Sequence, residues 1–237
     1  MIRGMAHRGY SIQYPENTIA AFEASLQCGF SHIELDVHLT RDDIPVVMHD
    51  PTVDRMTNGH GVIRDYTLRE LGQLRIAEEE KIPTLEEVLL LLKSRAMVMI
   101  ELKQFGRLYP NLEERVLDIV RSTDMMQEVF LSSFDHYAIE RVRHLDPAIA
   151  LGLVIEGASR SVFPFMKEIG ARYLSVCHSY VTDAFMEQCR AEDIQPILWT
   201  VNDEVTMRKL ALAYPDALIC TDALELWVKT IAEVHRR

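Results

Sequence analysis

Short runs of apolar and β-branched residues alternate with longer stretches of helical period from one end of the chain to the other. The runs that read as strands cover residues 2–7, 32–37, 46–49, 97–102, 129–132, 149–154, 173–176, 196–201 and 218–220. Nine runs are one more than a closed barrel of eight alternating strands and helices requires. Connection length identifies the surplus. Parallel neighbours need a crossover of roughly a dozen residues or more, and the link over residues 39–45 is too short for one, so residues 46–49 must return antiparallel to the second strand. The other eight are separated by helix-length segments, which predicts a parallel TIM (β/α)8 barrel.

Helix patterns agree with this order. Behind Pro83, the string Thr84-Leu85-Glu86-Glu87 is a capping box, and Leu85, Val88, Leu89 and Leu92 then form one apolar stripe. Asn17 is expected to cap a helix whose Ile19, Phe22 and Leu26 share a face, and Asp135 and Asp203 to cap later ones. Residues 51–82 hold no sustained period and contain Asn58-Gly59 and Gly61. They are expected to form a small insertion after the second strand, above the barrel mouth, within a single domain spanning residues 1–237. There is no internal repeat or low-complexity tract.

At 237 residues and 48 % hydrophobic content the chain is long enough for one such barrel. Its formal charge of −11 argues against a nucleic-acid binder, which would need clustered Lys and Arg. Cys28, Cys177, Cys189 and Cys220 form no C-x-x-C pair and no metal-ligand spacing, and read as free thiols in a reducing compartment. Neither a charged-then-apolar leader nor a stretch approaching 18 apolar residues is present, so no signal peptide or stable membrane insertion is expected and the cytoplasm is the default location.

Against this background the polar residues at the predicted strand ends stand out. They are His7-Arg8-Gly9, Glu34-Leu35-Asp36, His49-Asp50 and Glu101-Leu102-Lys103. Successive strand side chains alternate in direction, so Glu34 projects with Asp36 and Glu101 with Lys103, while Ile33, Leu35 and Val37 take the opposite face. A buried carboxylate must be matched by a partner. A hard cation is the simplest partner for three of them, and a phosphate for Arg8 and Lys103, which points to metal-assisted cleavage of a phosphate ester. Singly, a strand-end histidine is usually structural and an E-x-D pair usually solvated. Here Glu34, Asp36, Glu101, Lys103 and His7 at the end of the first strand all fall at C-terminal strand ends, where the active sites of these barrels assemble.

The order His7-Arg8-Gly9, Pro15-Glu16-Asn17-Thr18, Ala21-Phe22, Glu34-Leu35-Asp36-Val37, Thr40, His49-Asp50 resembles the glycerophosphodiester phosphodiesterases. The likeness continues through Ile82-Pro83-Thr84-Leu85-Glu86-Glu87, Glu101-Leu102-Lys103, Ser132-Ser133-Phe134, Trp199-Thr200-Val201-Asn202 and Thr221-Asp222. It implies a TIM barrel with a small insertion, one divalent cation (Ca²⁺ or Mg²⁺), and hydrolysis of a small-molecule glycerophosphodiester to glycerol 3-phosphate and an alcohol. By the same resemblance Glu34, Asp36 and Glu101 match the metal ligands, and His7 and His49 the acid/base pair. Arg8 and Lys103 match the phosphate-holding groups, and Trp199 an aromatic wall near the glycerol. The chain departs from the pattern at Asp42-Asp43, where Asp-Gly is usual, and at Ala223; both lie outside this set.

The residue types suit the reaction. Three carboxylates supply oxygen ligands to a hard cation, Arg8 offers a two-pronged donor, Lys103 a point charge, and imidazoles can accept or release protons near neutrality. The residues alone do not say which histidine is the acid; the resemblance makes it His49. His178 could line the same pocket or serve the fold. His32, His38, His60, His136, His144 and His235 read as surface or packing residues, and Met97 and Met99 as core filling. Two rival readings share the scaffold: a lysophospholipase D-type enzyme, which would need an apolar groove near an insertion that carries Glu78-Glu79-Glu80 instead, and a non-catalytic phosphodiester-binding module, which the full set of imidazoles and carboxylates disfavours.

Overall fold

Eight parallel strands close into a TIM barrel in the computed structural model, which describes residues 1–236. The barrel strands are β1 (Ile2–Ala6), β2 (Phe30–Leu39), β4 (Met97–Leu102), β5 (Val129–Ser132), β6 (Ala150–Ile155), β7 (Tyr173–Cys177), β8 (Gln195–Trp199) and β9 (Leu218–Thr221). Closure comes from β1, which pairs in parallel with β2 on one side and β9 on the other. The ninth strand, β3 (Pro45–Val47), runs antiparallel to β2 with Val37 opposite Val47 and Leu39 opposite Pro45, the direction required by the short link before it.

The helices are α1 (Ile19–Gln27), α2 (Leu68–Leu71), α3 (Leu85–Leu92), α4 (Leu112–Ser122), α5 (His136–Leu145), α6 (Val162–Ile169), α7 (Asp183–Ala191), α8 (Glu204–Ala213) and α9 (Leu224–Val234). Thr84 makes both halves of its capping box with Glu87, and Asp135 and Asp203 accept from the third residue of their helices. The cap of α1 differs from expectation. Thr18, not Asn17, accepts the Ala21 N–H, because Asn17 lies at φ 58°, outside the extended backbone of an N-cap, and its side chain is used elsewhere.

Strand alternation divides the apolar residues into two cores. Ile33, Leu35 and Val37 face outward into the layer between barrel and helices, together with the Leu85, Val88, Leu89 and Leu92 stripe of α3. Met5, Met99, Phe130, Val154, Ile197, Leu218 and Cys220 fill the barrel itself. Each full burial of such a side chain is worth about 1.5–3 kcal/mol over exposure, so both layers hold the strand register that places the polar groups.

Strands β1, β3 and β8 end earlier than the apolar pattern predicts, at Ala6, Val47 and Trp199, so His7 and His49 stand just past their strands on the mouth side. Residues 51–82 carry a 3-10 turn over Ile63–Asp65 and the short α2, and collect Val53, Ile63, Leu71, Ile76 and Ile82 into a small core with Val46 and Met48. Its apolar residues converge from turns and isolated bridges, which explains the lack of period. Cys189 and Cys220 are buried and Cys28 and Cys177 half-buried, all as free thiols. Among the described residues no helix is long and apolar enough to cross a membrane.

Candidate active site

The β2–β4 register sets Asp36 opposite Glu101 and Glu34 opposite Met99, so three carboxylates enter the mouth end of the barrel on adjacent strands. All three are buried, at 3 % exposure for Glu34, 1 % for Asp36 and 9 % for Glu101. One oxygen from each lies within 4.8 Å of the others. Oxygens that share one Ca²⁺ at 2.3–2.6 Å can be no further apart than about 5 Å, so this all-oxygen donor set fits a hard divalent cation of that size. Lys103 Nζ sits 2.7 Å from Glu101 Oε1 and 3.2 Å from Asp36 Oδ1, and Arg8 Nε 3.5 Å from Asp36 Oδ2. Two cations against three carboxylates leave one negative charge over. Glu34 is the carboxyl that keeps its proton instead: burial, and then the charge of Asp36, pushes its pKa up to about 8, with Glu101 adding to the rise. Burial also acts against ionised Asp36, but Lys103 and Arg8 outweigh it and hold the pKa down to about 2.

Arg8 and Gly9 reach this cluster through consecutive left-handed backbone conformations, φ 59° and 82°. A side chain at Gly9 would meet Ala21 Cβ at 2.7 Å, which accounts for glycine in the His-Arg-Gly string. The turn lets the Arg8 backbone N–H donate to Glu34 Oε2 at 2.9 Å, while its guanidinium donates to Glu16 Oε1 at 3.0 Å. Asn17, displaced from capping, donates from Nδ2 to Asp36 Oδ2 at 2.8 Å.

Each imidazole is fixed by a carboxylate. His7 Nδ1 donates to Asp222 Oδ1 at 2.7 Å, and Ser11 Oγ and Asn202 Nδ2 hold the same carboxylate at 2.8 and 2.6 Å. Burial opposes the charged form of His7, but the Asp222 hydrogen bond and the Glu34 charge prevail and raise its pKa. His49 Nδ1 donates to Asp50 Oδ1 at 2.8 Å. With Nδ1 occupied, Nε2 is the nitrogen left to exchange a proton in either ring. Behind His49, fully buried His38 must donate from Nε2 to the His49 carbonyl at 3.0 Å, so its Nδ1 accepts from Tyr109 Oη at 2.9 Å.

These groups surround a cavity of about 190 Å³. His7, Arg8, Glu34, His49, Glu101 and Lys103 form its polar side; Met99, Val154 and Cys220 line it from the barrel core, and Phe134 and Trp199 meet edge to face at 5.9 Å on its wall. Of the eight residues expected to form the site, seven line this cavity, and Asp36 lies behind them, tied to Lys103 and Asn17. His178 is not among the lining residues. A larger groove of about 900 Å³, around Arg143, Lys167 and Arg190, contains none of the eight. The residues given no role in the site from the sequence are the supporting ones: Asp222, Asp50, Glu16, Asn17, Arg55, and Phe134 on the wall. Adjacency to His49 marks Asp50, and Glu16-Asn17 and Thr221-Asp222 belong to the motif strings; Arg55 has no such mark.

The model of the Glycerophosphoryl diester phosphodiesterase family matches residues 7–226. A glycerophosphodiester phosphodiesterase of Caldanaerobacter subterraneus subsp. tengcongensis is 35 % identical over 226 residues, covering 92 % of this chain and 93 % of that one. One from Bacillus altitudinis is 34 % identical over 247 residues, covering 99 % and 100 %. Among solved structures, an Oleispira antarctica phosphodiesterase in complex with the product sn-glycerol-3-phosphate superposes with a TM-score of 0.89 at 27 % identity, covering 98 % of this chain and 97 % of that one.

Proposed function

Because the chain belongs to the glycerophosphoryl diester phosphodiesterase family, we propose that the cavity at its barrel mouth hydrolyses glycerophosphodiesters to glycerol 3-phosphate and an alcohol. The observation that carries this reading is the convergence on one cavity of buried carboxylates, two cations and two carboxylate-anchored imidazoles. Chain and insertion are read together as one catalytic domain, residues 1–237. The four free thiols support the cytoplasm as its location.

Arg8 and Lys103 hold the phosphate, the first by a two-pronged donor and the second as a point charge. Glu34, Asp36 and Glu101 would hold a divalent cation of the Ca²⁺ or Mg²⁺ class. When bound, it supplies Lewis-acid polarisation of the phosphoryl group and neutralises charge growing on its oxygens. His7 takes the proton of the attacking nucleophile at Nε2, water directly or the neighbouring glycerol hydroxyl, whose cyclic phosphate ester water then opens, and Asp222 steadies the imidazolium so formed. His49 delivers a proton from Nε2 to the departing alkoxide as the phosphorus–oxygen bond to the alcohol breaks. Each transfer is worth typically about 10²- to 10⁴-fold. Trp199 and Phe134 give the glycerol an apolar wall.

Product analysis of a panel of glycerophosphodiesters, with and without chelator, tests the reading. Glycerol 3-phosphate should be the common product and chelation should abolish its release. Full turnover in chelator-treated protein would overturn the cation assignment, and release of a phosphorylated alcohol with free glycerol would overturn the direction of cleavage.

A further inference from the structure

We infer that Arg55 is a positioning residue that ties the proton-donating arm of the site to its phosphate-binding arm, an inference that rests on the roles proposed for His49 and Arg8. Its guanidinium grips two carboxylates with both prongs. Nε and Nη2 donate to Asp50 Oδ2 and Oδ1 at 2.6 and 3.1 Å, and Nη2 and Nη1 donate to Glu16 Oε1 and Oε2 at 2.7 and 3.1 Å. The same Asp50 Oδ1 accepts from His49 Nδ1, and the same Glu16 Oε1 accepts from Arg8 Nη1. The five side chains therefore form one continuous path, His49–Asp50–Arg55–Glu16–Arg8.

Arg55 reaches this place from a turn inside the insertion. The Thr57 N–H closes the turn on the Val53 carbonyl at 3.0 Å, and fully buried Val53 anchors it in the small core over β3. The arginine does not line the cavity and its side chain is 48 % exposed, so it touches neither phosphate nor leaving group. Among the described residues, Asp50 and Glu16 have no cationic partners within 4.0 Å other than Arg55 and the two site groups they support.

That shared grip has two consequences. Without Arg55, Asp50 would lose the donors that hold its plane toward His49, and two facing carboxylates would repel each other. Glu16, no longer half neutralised, would draw Arg8 away from the phosphate. One distant substitution would thus impair protonation of the alcohol and capture of the anion together, and the two losses can be separated by choice of leaving group. Changing a residue that orients a catalytic group typically lowers activity about 10- to 100-fold.

The test uses the whole 237-residue chain with two glycerol phosphodiesters, one bearing an alkyl alcohol and one p-nitrophenol, whose anion departs without a proton. Arg55→Ala should lower kcat about 10-fold or more on the alkyl ester and leave kcat on the p-nitrophenyl ester near wild type, while KM rises for both. Arg55→Lys should recover the charge but not the doubled grip and fall between, and added guanidinium should restore part of the lost kcat to the alanine variant. Thermal unfolding checks that each variant is folded, and Arg55→Gln replaces the alanine variant if it is not. Equal kcat losses on the two esters, or unchanged kinetics throughout, would overturn the inference. His49→Ala on the same pair is the control. If the p-nitrophenyl ester fails to rescue it, the acid role of His49 falls; if it rescues His49→Ala but not Arg55→Ala, only the positioning role falls.

Discussion

Replacing Glu34 with glutamine should stabilise the metal-free protein, and by more as the pH rises. The carboxyl is buried beside Asp36 and Glu101, and its pKa stands at about 8 against an ordinary 4.5. Between those values the unfolded chain has lost a proton that the folded chain still holds, so stability falls by about 1.4 kcal/mol per pH unit. The contribution is whole below pH 4.5 and gone above pH 8. By pH 7 the accumulated loss is about 3 kcal/mol. His32 and His38, whose pKa burial holds down to about 4, act in the opposite sense below pH 6.5, so the wild-type curve mixes both signs. They cancel in the difference between variant and wild type. Glutamine keeps an oxygen to accept the Arg8 N–H now 2.9 Å from Glu34 Oε2, so that hydrogen bond survives the change.

In chelator, the variant's advantage should be small near pH 5 and reach about 3 kcal/mol at pH 7, or roughly 6–12 °C in Tm for a chain of this size. Scanning calorimetry at several pH values measures it. Adding Ca²⁺ or Mg²⁺ should reverse the ranking, since an ion at 100 times its Kd stabilises the wild type by about 2.7 kcal/mol and the variant has lost one ligand. Parallel curves in chelator, with the variant no more stable at pH 8, would refute the reasoning. Lys103 and Arg8 would then suffice to neutralise the cluster, and no excess charge would remain for a cation to relieve.

Two further outcomes follow from the same geometry. Asp222→Asn removes the carboxylate that holds His7 Nδ1–H and keeps the His7 pKa up, so the acid limb of the kcat/KM profile should move to lower pH while its maximum falls by about 10²-fold; an unmoved limb would take His7 out of the base role. Arg8→Lys keeps the charge but loses the two-pronged grip, so kcat/KM should fall by about 10-fold or more with Tm changed by no more than a few degrees; a large drop in Tm with intact kinetics would make Arg8 structural.

The barrel was legible because its determinants are local and repeated. Eight apolar runs with helix-length gaps admit few architectures, and one short link settled the antiparallel return of β3. The cap of α1 was not legible in the same way. Asn17 and Thr18 are both good capping residues, and what decides between them is a carboxylate 19 positions away: Asp36 takes the Asn17 amide and leaves the cap to Thr18. His38 shows the same limit. Alternation along β2 puts it on the face of Glu34 and Asp36, but its bond to the carbonyl of His49 depends on how the chain returns through β3.

For the site, the dividing line is whether a contact follows from strand register. Once the barrel closes with Ala6 opposite Thr221, the next residue of each strand must also be neighbours, and those are His7 and Asp222, 215 positions apart. The same logic sets Asp36 beside Glu101. The partner of His7 was therefore contained in the fold the sequence predicted, awaiting only the register. Arg55 was not. It sits in a segment with no period, on a turn whose position depends on a core assembled from bridges and a 3-10 turn, and no rule of alternation carries its side chain to Asp50 and Glu16. Groups that do chemistry on this barrel are placed by register and can be read early; the groups that hold them in place come from the irregular insertion and can be read only from the folded chain.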